Sequence, residues 1–227
     1  MLFRSEEAEA FAMGRGARMQ GMLKISAPTS FGRLHIAPHL MGFMERFPDL
    51  SVNLILSDDF VDIIGDGFDL AIRIGEQADS SLVARRLAPV RRVLCAAPAY
   101  LDRHGTPETL ADLKHHICLK PHNNDSWRLV GAEGPIVIRP EARLFTNSSE
   151  VIREAVLSGM GIALRSTWDV GEELKNGTLR QVLPWIEGSK NVTLAAVYPS
   201  RQFLPAKVRA FIDFLAELYG PVPYWER

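Results

Sequence analysis

Apolar and polar residues alternate through Leu23-Lys24-Ile25-Ser26-Ala27, which is the period of a strand. Ser30 then stands where a helix cap is wanted. Leu34, Leu40, Met41, Met44 and Phe47 keep one helical face, with a bend at Pro38. Phe47-Pro48-Asp49 stops that helix, and 51–56 makes a second strand. Val61-Asp62-Ile63-Ile64 predicts a short helix closed by Gly65 and Gly67, and 69–73 predicts a third strand. Strand, helix, strand, helix, strand at this spacing predicts a parallel sheet with crossover helices.

Further strands are predicted over 82–88 and 92–97. From Pro98 the texture changes to short helices over 99–104 and 108–113 and short strands near 117–119, 127–130, 136–139 and 143–146. A helix over 150–158 has Ser148 or Ser149 as its cap, 161–164 is a strand, and the helix over 168–174 closes at Asn176-Gly177. Residues 192–198 are strand sequence. The last helix starts near Pro205 and carries the apolar stripe Val208, Phe211, Ile212, Leu215, Leu218. The apolar runs repeatedly end in loops of small or hydrogen-bonding residues. Such ends build the floor of a cleft, which points to holding a small molecule.

A chain of 227 residues suffices for one large domain or two small ones, and 47% hydrophobic with 23% charged residues is ordinary globular composition. The net charge of -1 offers no overall basic footprint for nucleic acid. The two cysteines, Cys95 and Cys118, sit beside apolar residues and read as buried reduced thiols. No apolar run is long enough to span a membrane, and the N-terminus turns acidic at Glu6-Glu7 without an apolar signal region. The expected compartment is therefore the cytoplasm, with no membrane partner.

Several segments in order carry a family resemblance. They are Ser26-Ala27-Pro28-Thr29-Ser30-Phe31-Gly32, Phe47-Pro48-Asp49-Leu50-Ser51-Val52, and Asp66-Gly67-Phe68-Asp69-Leu70-Ala71-Ile72-Arg73-Ile74-Gly75. Leu82-Val83-Ala84-Arg85-Arg86-Leu87-Ala88, Cys95-Ala96-Ala97-Pro98-Ala99-Tyr100-Leu101, Gly159-Met160-Gly161-Ile162-Ala163-Leu164 and Tyr198-Pro199-Ser200-Arg201 continue the series. The chain resembles the effector-binding region of LysR-type transcriptional regulators from about Gly21 to Leu218. The resemblance implies an α/β, periplasmic-binding-protein-like (type II) fold with two α/β subdomains joined by two crossover strands, 92–97 and 192–198. It places subdomain I at 22–94 plus 197–220 and subdomain II at 95–196, with a residual linker over 1–21 and a C-terminal tail over 221–227. It implies sensing of a small-molecule effector and assembly as a homodimer, with tetramers in the full-length protein. The helix over 34–47 and the strand over 51–56 are the expected dimer surface. The family's N-terminal winged helix-turn-helix has no counterpart here, so contact with DNA is expected only through that missing domain.

Candidate ligand-binding residues follow from the loops and from the resemblance. Free N–H groups at the start of the first helix favour an anion or carboxylate, and family members use this loop, here Thr29, Ser30 and Phe31. Arg73 and Gly75 follow the third strand, at the end where open α/β sheets hold ligands. Arg73 suits a carboxylate or, alternatively, an ion pair with Asp66, Asp69 or Glu76. Ala96 and Ala97 permit close approach to backbone at a hinge strand, or simply close packing. Asn147 and Ser148 either hydrogen-bond a ligand or cap the next helix. Arg165 is a cation where many relatives carry an apolar residue or proline; facing the cleft, it favours an anionic effector such as a carboxylate or aromatic acid. Arg85-Arg86 and Arg91-Arg92 read as a solvated basic edge with ion pairs.

No cofactor and no metal are expected. His115, His116, Cys118 and His122 fit no zinc spacing, and His35 and His39 at i, i+4 lack a third ligand. No nucleophile motif, phosphate loop or oriented Cys–His pair is present, so catalysis is not expected. A transporter's solute-binding protein and an enzyme on the same fold are the alternatives.

Overall fold

The computed structural model describes residues 19–59, 61–76, 82–121, 126–199 and 204–227. Most of the linker expected over 1–21, and His122, lie outside them. Two sheets organise the chain. The first has the order β2-β1-β3-β12-β4, formed by β1 (Gly21–Ala27), β2 (Leu50–Leu56), β3 (Leu70–Glu76), β4 (Val83–Pro89) and β12 (Val192–Tyr198). The second has the order β6-β9-β5-β11-β7-β8, with β10 also on β5. Its strands are β5 (Arg92–Ala96), β6 (Cys118–Leu119), β7 (Trp127–Gly131), β8 (Gly134–Ile138), β9 (Ile162–Ser166), β10 (Arg180–Gln181) and β11 (Glu187–Gly188).

The first three strands pair parallel, with Ile25 opposite both Leu54 and Leu70. Leu23, Ile25, Leu70 and Ile72 are wholly buried, as parallel strands covered on both faces require. β12 runs antiparallel to β3 and to β4. One face of this sheet is covered by α6 (Ala206–Tyr219), whose Val208, Phe211, Ile212 and Leu215 are buried as their spacing predicts. In the second sheet, α3 (Pro98–His104) and α4 (Ser149–Leu157) supply the covering layers, with Tyr100, Ile152 and Val156 buried.

The chain changes sheet at Val90–Arg91 and again over 189–191. β5 therefore pairs only in the second sheet and β12 only in the first. The boundaries expected at 94/95 and 196/197 fall inside these strands, and the chain passes from one sheet to the other just before each strand begins.

Other expectations change as well. The helical stretch after β1 starts at α1 (Thr29–Phe31), with Pro28 at the N-cap position and Ser30 already inside. It continues through a π segment (Gly32–Ile36) and a 3-10 turn (Ala37–His39) to α2 (Leu40–Arg46). The missing N–H of Pro38 explains the break in regular helix geometry. No helix forms over 61–64: the Asp62 side chain accepts from the N–H groups of Ile64 and Gly65, a local turn that competes with helix. The strand expected over 143–146 reduces to one bridge between Ala142 and Cys118. The segment 221–227 is a packed element rather than a bare tail, because Trp225 enters the core beneath the first sheet.

That core joins both lobes. Phe31 and His35 pack against Trp168, from α5 (Thr167–Lys175), and against Trp225. His35 Nε2–H donates to the Trp168 carbonyl at 2.9 Å, and its Nδ1 accepts from the Tyr224 hydroxyl at 2.6 Å. Both ring nitrogens are thus taken. Burial lowers the His35 pKa from its ordinary 6.5, against the raising effect of the Trp168 carbonyl. Below that value the unfolded chain takes up a proton that the folded chain resists, so stability is full above it and falls on acidification toward the lower folded value. The thermal midpoint is expected to drop between about pH 7 and pH 5.5, with a shallower slope in His35→Gln. Burial lowers His116 too, so the slope persists in part. Separately, a Cβ at Gly161 would lie 2.3 Å from the Ile117 carbonyl, which itself bonds the Ile162 N–H. Gly161→Ala is expected to cost about 1–3 kcal/mol in urea melts by forcing β6 from β9.

Candidate functional site

The carboxyl ends of β1 and β3, the start of β5 and the end of β9 meet at the seam between the sheets. They enclose a cleft of about 840 Å³, the size of a small-molecule site. For β1 and β3 this is the strand end at which open α/β sheets leave a crevice.

Ser30, Arg73, Gly75 and Arg165, from three separate sequence segments, all line this cleft. Thr29 stands beside it, its N–H donating to Asp58 Oδ1 at 2.8 Å. Phe31 does not: it is buried in the aromatic core. Ala96 and Ala97 also fail to reach the wall, since each is packed into a core of the second lobe. β5 meets the cleft only at its first residue, Arg92. Asn147 is exposed, and Ser148 is spent as the helix cap, accepting from the Val151 N–H. Ser149, one residue on, lines the cleft instead.

Burial decides what the charges do. Arg165 is 6% exposed and donates through Nε and Nη2 to Asp169 Oδ2, and through Nη1 to Ser149 Oγ at 3.1 Å. Asp169 is held from its other side by Arg153, 3.6 Å away. Arg165 is thus neutralised at the wall and orients Ser149. Arg73 Nη2 donates to the Val61 carbonyl at 3.1 Å, and burial lowers its pKa. Glu76 is held by Arg128 and by the Ser189 hydroxyl.

Arg92, grouped with a basic edge in the sequence, is the cleft cation missed there. Arg85 and Arg91 do pair at the surface, with Asp213 and Glu187. Among the described residues the Arg92 side chain has no hydrogen bond or ion pair, while its backbone pairs with Ser166 of β9. Burial first, and then the Arg165 charge, pull its pKa down to about 10, with Glu76 opposing. It stays charged at neutral pH. A Cβ on Gly188 would sit 2.6 Å from the Arg92 Cβ, so glycine lets the arginine stem lie against β11. The signal available in the sequence was Arg92's place at the first position of the strand predicted over 92–97.

Three donors complete the wall. Ser30, Thr193 and Trp168 line the cleft, and their Oγ, Oγ1 and Nε1 atoms are buried behind it without a protein partner among the described residues. A buried polar group without a partner costs about 1–3 kcal/mol, so this wall suits a ligand rich in acceptor oxygens. The buried thiols lie apart from this chemistry: burial pushes Cys95 up to about 12 and Cys118 up to about 11. Among the described residues no group of three or more metal-ligating side chains gathers.

Known proteins share this architecture. The family model for the LysR substrate binding domain matches residues 16–220. The HTH-type transcriptional regulator DmlR of Escherichia coli K12 is 40% identical over 205 residues, covering 88% of this chain and 66% of that protein. The HTH-type transcriptional activator TtdR of the same strain is 36% identical over 203 residues, covering 88% of this chain and 65% of that protein. The chain therefore spans just under two thirds of these relatives' length. The regulatory domain of CrgA, a LysR-type regulator of Neisseria meningitidis, superposes with a TM-score of 0.76 at 32% identity, covering 89% of this chain and all of that one. The AphB regulatory domain of Vibrio vulnificus gives a TM-score of 0.74 at 30% identity, covering 87% of this chain. Two sheets meeting at one lined cleft, matched along nearly the whole described chain, make this a member of the LysR substrate binding domain family.

Proposed function

We propose that this chain is the sensing domain of a DNA-binding transcriptional regulator and that its cleft takes a small anionic effector, a carboxylate or aromatic acid. One observation carries the reading: Arg92 lines the cleft, and among the described residues its side chain has no hydrogen bond or ion pair. Three of the cleft's carboxylates, Asp58, Glu76 and Asp169, are already engaged by protein donors, which favours binding over turnover. The two sheets act as subdomains, 21–90 with 192–219 and 92–188. An effector that binds one relative arrangement better shifts the population toward it. DNA contact and the cytoplasmic compartment follow from the role of the longer relatives. Among the described residues no helix is long and apolar enough to cross a membrane.

A homodimer is the second part of this reading. β2 is an edge strand, and exposed Ile55 and Leu56 lie on it; Met41 and Met44 are exposed on the neighbouring α2. An apolar edge of this kind pairs with another copy more readily than it stays in water.

Two arginine variants separate binding from architecture. Arg92→Gln is expected to keep the melting temperature and to lose the stabilisation that small carboxylates give wild type in a thermal-shift panel run against matched amides. Arg165→Gln leaves buried Asp169 with Arg153 as its remaining cation and is expected to cost about 1–3 kcal/mol in urea unfolding. A panel in which only neutral or cationic compounds bind, or in which Arg92→Gln binds carboxylates like wild type, overturns the anionic reading. For the dimer, Met41→Glu is expected to move the sedimentation coefficient from dimer to monomer; a wild-type monomer at tens of micromolar (about the range of a weak dimer) overturns it.

A further inference from the structure

Asp58 stands between the lobes. Its Oδ1 accepts from the Thr29 N–H at 2.8 Å, at the start of the helical stretch that follows β1. Its Oδ2 accepts from the Ser149 N–H at 3.3 Å, in the first turn of the nine-residue helix α4 that covers the second sheet. One carboxylate thus satisfies two backbone donors whose residues are 120 positions apart in sequence, as the separations of 29 and 91 residues from Asp58 add up. The turn that presents it is tied down: the Ser57 N–H donates to the Ala27 carbonyl, and the Asp59 N–H to Ser57 Oγ. The second link between these helix starts, Arg33 with Glu150 at 3.0 Å, is exposed and screened by solvent.

A second observation points to a ligand at the same place. Ser30, adjacent to Thr29, is 2% exposed, its hydroxyl has no partner, and it lines the cleft. Ser149 lines it too, with Oγ held by Arg165. Donors from both lobes converge there, and the group between them is a carboxylate belonging to the protein.

We infer that Asp58 is an internal anion that bridges the lobes in the effector's place, and that the acidic group of an effector competes with it for the Thr29 and Ser149 N–H groups. This rests on the cleft being the effector site. A ligand carboxylate that replaces Asp58 keeps both backbone donors satisfied while freeing the 57–59 turn. The cleft then changes what joins its walls without leaving a buried donor unpaired. A neutral acceptor does this less well, because hydrogen bonds to a charged oxygen are roughly twice as strong as neutral ones.

Chemical rescue tests the bridge on the whole chain. Asp58→Ala opens a carboxylate-sized gap; Asp58→Asn keeps the volume but offers a single uncharged acceptor oxygen, and serves where the alanine variant folds poorly. Hydrogen exchange of segments 27–31 and 147–152 is expected to quicken in both together, with the thermal midpoint falling by about 2–4 °C. Sodium acetate is expected to restore both readouts in Asp58→Ala, whereas acetamide or sodium chloride at the same concentration does not. Acetate is also expected to bind Asp58→Ala about tenfold more tightly than wild type, since it no longer competes with a charged acceptor. Faster exchange in one segment only, or acetate acting equally on wild type and variant, overturns the inference. The two readings fail separately. Coupled exchange and acetate rescue with no loss of carboxylate binding in Arg92→Gln sinks the effector assignment and leaves the bridge; loss of binding in Arg92→Gln with unaltered exchange in Asp58→Ala does the reverse.

Discussion

Charge brought to a seam between two sheets has to be answered, and that requirement shapes the site. Three arginines and four carboxylates line one hollow, where water is reduced and an unpaired ion is costly. Most find partners within the protein. Asp169 sits between Arg165 and Arg153, Glu76 between Arg128 and Ser189, and Asp58 between two backbone N–H groups. Arg92 is the cation left facing the cleft, and the proposal of an acidic effector rests on it.

The same pairs also hold the lobes in register. Glu76 belongs to β3 of the first sheet, while Arg128 belongs to β7 of the second. Asp58 follows β2 and reaches α4. His35, on the helical stretch after β1, donates to the carbonyl of Trp168 in α5. Residues that tune the cleft's charge are therefore residues that set the angle between its walls. A ligand held in this cleft, as proposed, would share interactions with the lobe arrangement, which is the physical condition for it to shift a conformational equilibrium. The C-terminal segment adds to this: Trp225 packs with Phe31 and Tyr219, and Glu226 bonds Thr167.

Local pattern determined a good deal by itself. The alternation through 23–27 buries Leu23 and Ile25, the run of 192–198 buries Val192, Leu194, Ala195 and Ala196, and the stripe from Val208 to Leu218 buries Val208, Phe211, Ile212 and Leu215 and leaves Leu218 half-buried. The series of motifs from Ser26 to Tyr198 carried the family, and with it the two-lobed fold. Ser30, Arg73, Gly75 and Arg165 reach the cleft because strand ends in such sheets are cleft edges wherever the chain goes next.

Only the tertiary structure decided the rest. Whether β5 shows a cleft residue at 92 or at 96–97 depends on which neighbours flank it, and β9, β10 and β11 bury everything past Arg92. Whether Arg165 is a free cation depends on Asp169, four residues on but in another element. Whether Asp58 is a solvated loop acid or a bridge depends on Ser149, 91 residues away. A sequence records which groups are present and the period at which they face one side. Partners such as Arg128 for Glu76 and Ser149 for Asp58 are long-range pairings set by how two sheets come together, and no local window contains them.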